Sequence, residues 1–220
     1  MRYLKLCRFP TVFTALADIF AGFLLSHPEL DPLPEFLLLL LASAGLYLSG
    51  MVLNDIFDVK QDTEERPHRP LPSGEVSLRG AIVFATGLMA IGLGAAFLAN
   101  WKSGLVAVAI AVCVLLYDGV LKKTPLGPVL MGSCRFLNIL LGASSSGILI
   151  NAVWQMPQIW MAAAMGIYIV GVTWYARTEA VQSNRNQLIG GLALVNIGLV
   201  MIVLWISGLA ARFGIFIGLG

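Results

Sequence analysis

The chain has 220 residues, 58% of them hydrophobic and only 12% charged, with a formal net charge of +2 at pH 7. A soluble domain carries about 25% charged residues, so the composition excludes an ordinary soluble enzyme and points to one polytopic membrane domain over residues 1–220. The basic residues lie in short loops, which excludes a nucleic-acid-binding surface.

Apolar runs predict an all-α transmembrane bundle with spans at 10–26, 35–55, 80–99, 103–121, 128–150, 157–177 and 188–207. The remaining stretch, 209–220, is too short to cross as a helix rising about 1.5 Å per residue, so it is expected as a fragment of an eighth span. The N-terminus has a basic start (Arg2, Lys5, Arg8) followed by an apolar run, as a signal peptide would. Pro10 interrupts it and no small-residue cleavage site comes after, so an uncleaved first helix is expected. Cys7, Cys113 and Cys134 have neither metal-ligand nor disulfide-framework spacing and read as free thiols.

Loop charges set the orientation. The N-terminus, the loop after span two (Lys60, Arg66, Arg69, Arg79), the loop after span four (Lys122, Lys123) and the loop after span six (Arg177, Arg185) fall on one side. The opposite loops carry Glu29 and Asp31, a single Lys102, and no charge between Asn151 and Gln158. The positive-inside rule places the basic side in the cytoplasm, and the expected location is a bacterial inner membrane.

Span one contains Asp18, and span five contains Arg135 and Asn138. A lone charge at the centre of a membrane costs about 2.5–3.5 kcal/mol on insertion scales, so each needs a partner or a wet cavity. Asp18 and Arg135 form one such pairing; alternatively Arg135 and Asn138, three residues apart, line a substrate cavity from one helix face.

Span two ends in Asn54-Asp55-Ile56-Phe57-Asp58-Val59-Lys60-Gln61-Asp62. Continued as a helix, this puts Asp55, Asp58 and Asp62 on one face, with Asn54 and Asp58 four residues apart beside them. Three carboxylates on one face repel unless a cation sits among them. The donors are hard oxygens with no His or Cys in the run, so the cation expected is Mg²⁺ or Mn²⁺, and Mg²⁺ completes its shell with water and substrate phosphate. The run is therefore a candidate diphosphate site at a membrane surface.

The next loop reads TEERPHRPLPSGEVS over 63–77. Arg66 and Arg69 offer planar forks suited to phosphate oxygens, or they pair with Glu64 and Glu65. His68 reads as a solvated loop residue. At the end of span four, Lys122 either anchors to headgroups or binds phosphate, and Tyr117 reads as an interfacial aromatic. The Ser144–Ser146 run is expected to let helices pack closely.

Taken together, these segments resemble the UbiA superfamily of intramembrane prenyltransferases. Asn54, Asp55, Asp58 and Asp62 match its first signature, N-D-x-x-D-x-x-x-D, and the basic, Pro-rich loop over 63–77 matches the family's R-P-L-P-S-G-type loop. Arg8 and Pro10 resemble its R-x-P start, and Tyr117 with Lys122 and Lys123 its Y-x4-K-[RK] stretch. SCRFLNILLG and WYARTEA together resemble the EboC-like branch. The resemblance implies a second Asp-rich signature after span six. There Glu179 keeps a carboxylate at the first position, while Ser183 replaces the second. It also implies more helices than this chain supplies, so the last family helices are expected to be missing.

The function so implied is Mg²⁺-dependent transfer of a prenyl group from an isoprenyl diphosphate to a lipophilic acceptor, expected to be aromatic, within the bilayer. Asp55, Asp58, Asp62 and Glu179 would hold metal, and Asn54, Arg66, Arg69, Lys122, Tyr117, Arg135 and Asn138 would bind substrate. The alternative is a non-catalytic lipid-diphosphate binder or translocation partner, motivated by Ser183. A divalent-cation carrier would want acids deep across the span, whereas these cluster at one end. A CDP-alcohol phosphotransferase is excluded because Asp118-Gly119 continues as Val-Leu-Lys-Lys instead of that family's D-G-x2-A-R.

Overall fold

The computed structural model describes residues 2–27, 29–145, 157–181 and 185–212, with the side chains of 178–181 and 209–212 outside that set. The described residues form α1 (Arg2–Leu6), α2 (Val12–Ser26), α3 (Leu33–Phe57), α4 (Val59–Glu65), α5 (Leu78–Ala99), α6 (Trp101–Leu116), α7 (Gly127–Ala143), α8 (Gln158–Val181) and α9 (Arg185–Arg212). A short 3-10 turn, Phe9–Thr11, leads into α2, and a π-helical turn, Tyr117–Leu121, closes α6.

Local chemistry sets these boundaries. Pro34 and Pro128 sit in the first turns of α3 and α7, where no intrahelical N–H is required. Ser77 caps α5 by accepting from the Gly80 N–H at 3.1 Å. Asn100 both ends α5 and caps α6, accepting from the Ser103 N–H at 3.0 Å, so the two helices turn on one residue.

Among the described residues, six helical segments are long and apolar enough to cross a membrane, and α7 is a shorter apolar helix. The fifth expected span, 128–150, is therefore a 17-residue helix followed by a turn at Ser144. The end of its expected range, from 146 onward, falls outside the described residues, as does 213–220 of the expected eighth fragment. Span seven is longer than expected, since α9 continues to Arg212.

Helices α2, α3, α5, α6 and α7 touch in a closed order, each against the next and α7 back against α2. Helix α8 packs on α7, and α9 packs on α8. Phe23, Leu39, Leu46, Ile139 and Leu140 form the centre of the main buried cluster. Large apolar side chains such as Phe13, Val83 and Leu98 stay exposed, as expected of a lipid-facing surface.

Two crossings depend on glycine. A Cβ on Gly142 of α7 would lie 2.6 Å from the Ile19 carbonyl oxygen of α2. A Cβ on Gly45 of α3 would lie 2.8 Å from the Leu88 carbonyl oxygen of α5. Small residues let membrane helices approach backbone to backbone. The serine run contributes to a third contact: Ser144 is buried, and its hydroxyl pairs with Ser103 of α6 at 2.6 Å.

Candidate functional site

The acidic stretch is not one continuous helix. Helix α3 stops at Phe57, Asp58 has φ −86° and ψ −2°, and α4 resumes at Val59. The expectation of three carboxylates on one uninterrupted face is corrected accordingly. The ladder still holds across the break, from the Asp58 N–H to the Asn54 carbonyl at 3.0 Å and from the Asp62 N–H to the Asp58 carbonyl at 2.8 Å. Asp55 and Asp62 turn to one side and share Arg69, whereas Asp58 turns to Lys122.

Each carboxylate is met by a base. Arg69 Nη1 lies 2.6 Å from Asp62 Oδ2 and 3.4 Å from Asp55 Oδ1. Arg66 lies 3.6 Å from the other Asp62 oxygen. Arg8 donates to Asp55 Oδ1 at 2.8 Å, and Lys122 pairs with Asp58. Asp55 and Asp62 are buried, at 5% and 2% exposure, so their charge must be paired on the spot.

The bases come from three places. Arg66 and Arg69 sit on the loop that joins α4 to α5. Leu71 and Val76 anchor that loop by burial against Leu6, Cys7, Val52, Ala81 and Ala85. The Ser73 N–H bonds the Arg69 carbonyl at 2.9 Å, and Gly74 turns the chain at φ 76°. Arg8 joins α1 to the 3-10 turn with φ 47°, a left-handed conformation uncommon for a residue with a Cβ. That backbone is held because Arg8 is fixed at both ends, by its guanidinium on Asp55 and by Pro10 in the following turn. Lys122 comes directly after the π turn, where its N–H reaches the Tyr117 carbonyl at 2.8 Å.

Asn54 donates from Nδ2 to Asp118 Oδ1 at 2.9 Å. Asp118 is buried in the π turn. Counting it, the group holds four carboxylates, three of them ion-paired, and the four bases Arg8, Arg66, Arg69 and Lys122, so its formal charge balances. Sequence reasoning did not assign Arg8 or Asp118 to the site. The R-x-P motif pointed to Arg8's place in the chain, and a buried acid at a span's end was the available signal for Asp118.

Of the remaining expected residues, Tyr117 stays at the edge of the site, whereas Arg135 and Asn138 fall elsewhere. Tyr117 is half-buried in the π turn beside Asp118. Arg135 and Asn138 of α7 bind α2: Arg135 Nη1 lies 2.6 Å from Asp18 Oδ2 and donates to the Thr14 carbonyl at 2.8 Å. Asn138 Nδ2 donates to the Ala15 carbonyl at 2.9 Å and to Asp18 at 3.0 Å, and its Oδ1 accepts from Ser43 at 2.8 Å. These bonds join α2, α3 and α7. The backbone of Glu179 lies near the end of α8, but its side chain, like all of Ser183, lies outside the described residues. One helical turn or less before it, Arg177 of α8 donates to the Thr124 carbonyl at 2.6 Å, tying α8 to the loop after the π turn.

The donor set fits a hard divalent cation: carboxylate oxygens with an amide beside them. Among the described residues, no three His, Cys, Asp or Glu side chains stand close enough together to hold a metal ion as they are. The physical reason lies in the pairing, since Arg69 and Lys122 draw Asp62 and Asp58 in different directions.

The UbiA prenyltransferase family model matches residues 15–220. The digeranylgeranylglyceryl phosphate synthase of Metallosphaera sedula is 33% identical over 156 residues, covering 69% of this chain and 55% of that protein. The synthase of the same name from Methanopyrus kandleri is 36% identical over 157 residues, covering 69% and 56%. The chain thus spans about half the length of the curated relatives it matches. Among solved structures, a digeranylgeranylglyceryl phosphate synthase in membranes superposes with a TM-score of 0.76 at 25% identity, over 98% of this chain and 78% of that one. A UbiA homologue from Archaeoglobus fulgidus bound to DMAPP and Mg²⁺ superposes with a TM-score of 0.71 at 17% identity, over 94% and 77%, a likeness of fold. These matches lend no support to the EboC-like branch.

Proposed function

Because the chain belongs to the UbiA prenyltransferase family, we propose that it transfers a prenyl group from an isoprenyl diphosphate to a lipophilic acceptor within the membrane, with Mg²⁺. The carrying observation is the self-balanced group of acids and bases at one end of an apolar bundle. A metal diphosphate is itself a cation paired with an anion. On binding, the carboxylates would hold the metal and the bases would meet the diphosphate oxygens, so each side's charge would stay largely paired.

In this reading Asp55, Asp58 and Asp62 hold the metal, with Asn54 beside them and Glu179 from α8. Arg8, Arg66, Arg69 and Lys122 turn from carboxylate to diphosphate oxygens, which arginine forks accept in pairs. Mg²⁺, when bound, neutralises charge on the departing diphosphate. Once turned, the bases would stabilise the same developing charge, which is where donors already in place in the bound complex lower a barrier most. The A. fulgidus homologue, bound to DMAPP and Mg²⁺, supports this choice of metal and substrate class.

The names of the curated relatives support a glyceryl phosphate acceptor over the aromatic ring expected from the sequence. Loop charges support placing the N-terminus and the site on the cytoplasmic side.

The test is pyrophosphate release by purified protein in lipid, with a panel of isoprenyl diphosphates, with and without Mg²⁺, and with glyceryl phosphate ethers and phenols as competing acceptors. Mg²⁺-dependent release that requires a glyceryl phosphate acceptor and disappears in Asp58→Ala is the expected result. Binding without release from any donor and acceptor pair would leave only the non-catalytic binder.

A further inference from the structure

The geometry points to Asp118 as a positioning residue that sets the orientation of the Asn54 side chain at the diphosphate site. This inference rests on the metal-diphosphate reading above. Asp118 lies 64 residues from Asn54 in sequence and belongs to none of the motifs that identify the acidic stretch.

An asparagine amide has two ends of nearly equal shape, one donating and one accepting. A carboxylate accepts only. Asp118 Oδ1, 2.9 Å from Asn54 Nδ2, therefore selects the NH₂ end and turns Asn54 Oδ1 the other way. That oxygen accepts no hydrogen bond from the described residues. Asn54 immediately precedes Asp55 and lies one helical turn before Asp58, so the released oxygen belongs to the same donor set. Without Asp118 the amide is free to flip, presenting NH₂ to a cation that it repels.

The π turn puts Asp118 there. Residues 117–121 close i to i−5, as the bond from the Lys122 N–H to the Tyr117 carbonyl shows, and such turns are frequent at functional sites. The wider turn brings residues four apart closer into line. Asp118 and Lys122 thus address neighbouring targets, Asn54 in the last turn of α3 and Asp58 at the break that follows it. Asp118 is 8% exposed, and a buried carboxylate kept beside other carboxylates is costly unless it serves a purpose.

The experiment measures Mg²⁺-dependent binding of geranylgeranyl thiolodiphosphate, a non-reacting substrate analogue, to the full chain in nanodiscs by calorimetry. Loss of an outer-sphere partner costs about tenfold or more in metal affinity. Asp118→Ala is expected to raise the Mg²⁺ concentration for half-maximal binding about tenfold. Asp118→Asn should restore most of that loss, because the new amide oxygen accepts the same bond. In an Asn54→Ala background, Asp118→Ala should add nothing. Wild-type Mg²⁺ dependence in Asp118→Ala, equal losses in the Ala and Asn variants, or additive losses with Asn54→Ala would each overturn the role. If the unaltered protein shows no Mg²⁺-dependent binding, the metal-diphosphate reading itself fails and this inference falls with it. Binding by the unaltered protein alongside a silent Asp118→Ala overturns the inference alone.

Discussion

Replacing Arg135 with Met removes one partner of a buried ion pair and leaves Asp18 behind. Asp18's side chain is 5% exposed, and its shortest contact is Arg135 at 2.6 Å. At that separation an effective dielectric of about 20 gives an attraction of roughly 6 kcal/mol, part of which desolvation cancels. The substitution also removes the bonds from Arg135 to the Thr14 carbonyl at 2.8 Å and to its hydroxyl at 2.7 Å. Asn138 Nδ2 remains on Asp18 at 3.0 Å and recovers a little. The expected destabilisation is about 3–4 kcal/mol, the usual cost of stranding a buried charge. Asp18→Leu with Arg135→Met removes both charges and should return to within about 1 kcal/mol of the unaltered protein. Reversible unfolding in mixed micelles, followed by tryptophan fluorescence as denaturing detergent is added, measures both variants. Additive losses in the double variant, or a single-variant loss under about 1 kcal/mol, would refute the argument. A double variant that is stable yet no longer binds diphosphate would instead return Arg135 to the substrate-binding role expected from the sequence.

Gly142→Leu should destabilise by about 3 kcal/mol or more, because its Cβ would meet the Ile19 carbonyl at 2.6 Å; unchanged unfolding in the same titration would rule out that close approach. Lys122→Met should barely change unfolding, since the Asp58 side chain is 20% exposed and such pairs contribute about 1 kcal/mol or less. The same variant should weaken thiolodiphosphate binding about tenfold or more, and an unchanged dissociation constant would remove Lys122 from the site. Glu179→Ala should lower turnover if α8 supplies a second carboxylate; wild-type rates beside an inactive Asp58→Ala would leave a single cluster. Burial pushes the Cys7 thiol above its ordinary range, so maleimide should label it slowly at pH 7 and faster as pH rises. Because the folded thiol holds its proton more tightly than the unfolded one, Cys7 should also cost stability above the unfolded thiol's range. Fast labelling at Cys7 of the native protein at pH 7, located by peptide mapping because Cys113 and Cys134 are also free, would contradict that burial.

Much of the fold and part of the site could be read from sequence because the signals are local. A run such as 80–99 is apolar wherever it sits, and α5 begins and ends within two residues of that range. The acidic stretch announces itself by repulsion among neighbours, and the arginines of the next loop meet it because that loop is short and bounded by prolines.

The failures are of another kind. The break at Asp58 could not be read from residue types, because the run holds three aspartates, each a possible cap, and nothing local singles out the middle one; at the break Asp58 pairs with Lys122 while Asp55 and Asp62 share Arg69. Arg8 reaches Asp55 across 47 residues, and Asn54 reaches Asp118 across 64. Sequence by itself determined the membrane class, most of the spans, the hard-oxygen donor set and the expectation of a diphosphate ligand, since each depends on composition or on spacing within a turn or two of helix. Only the tertiary structure decided which base meets which acid, that Arg135 binds Asp18, and that Asp118 stands beside Asn54. Those pairings depend on the rotation of each helix about its axis, and rotation is set by glycine crossings and a π turn that no local pattern encodes.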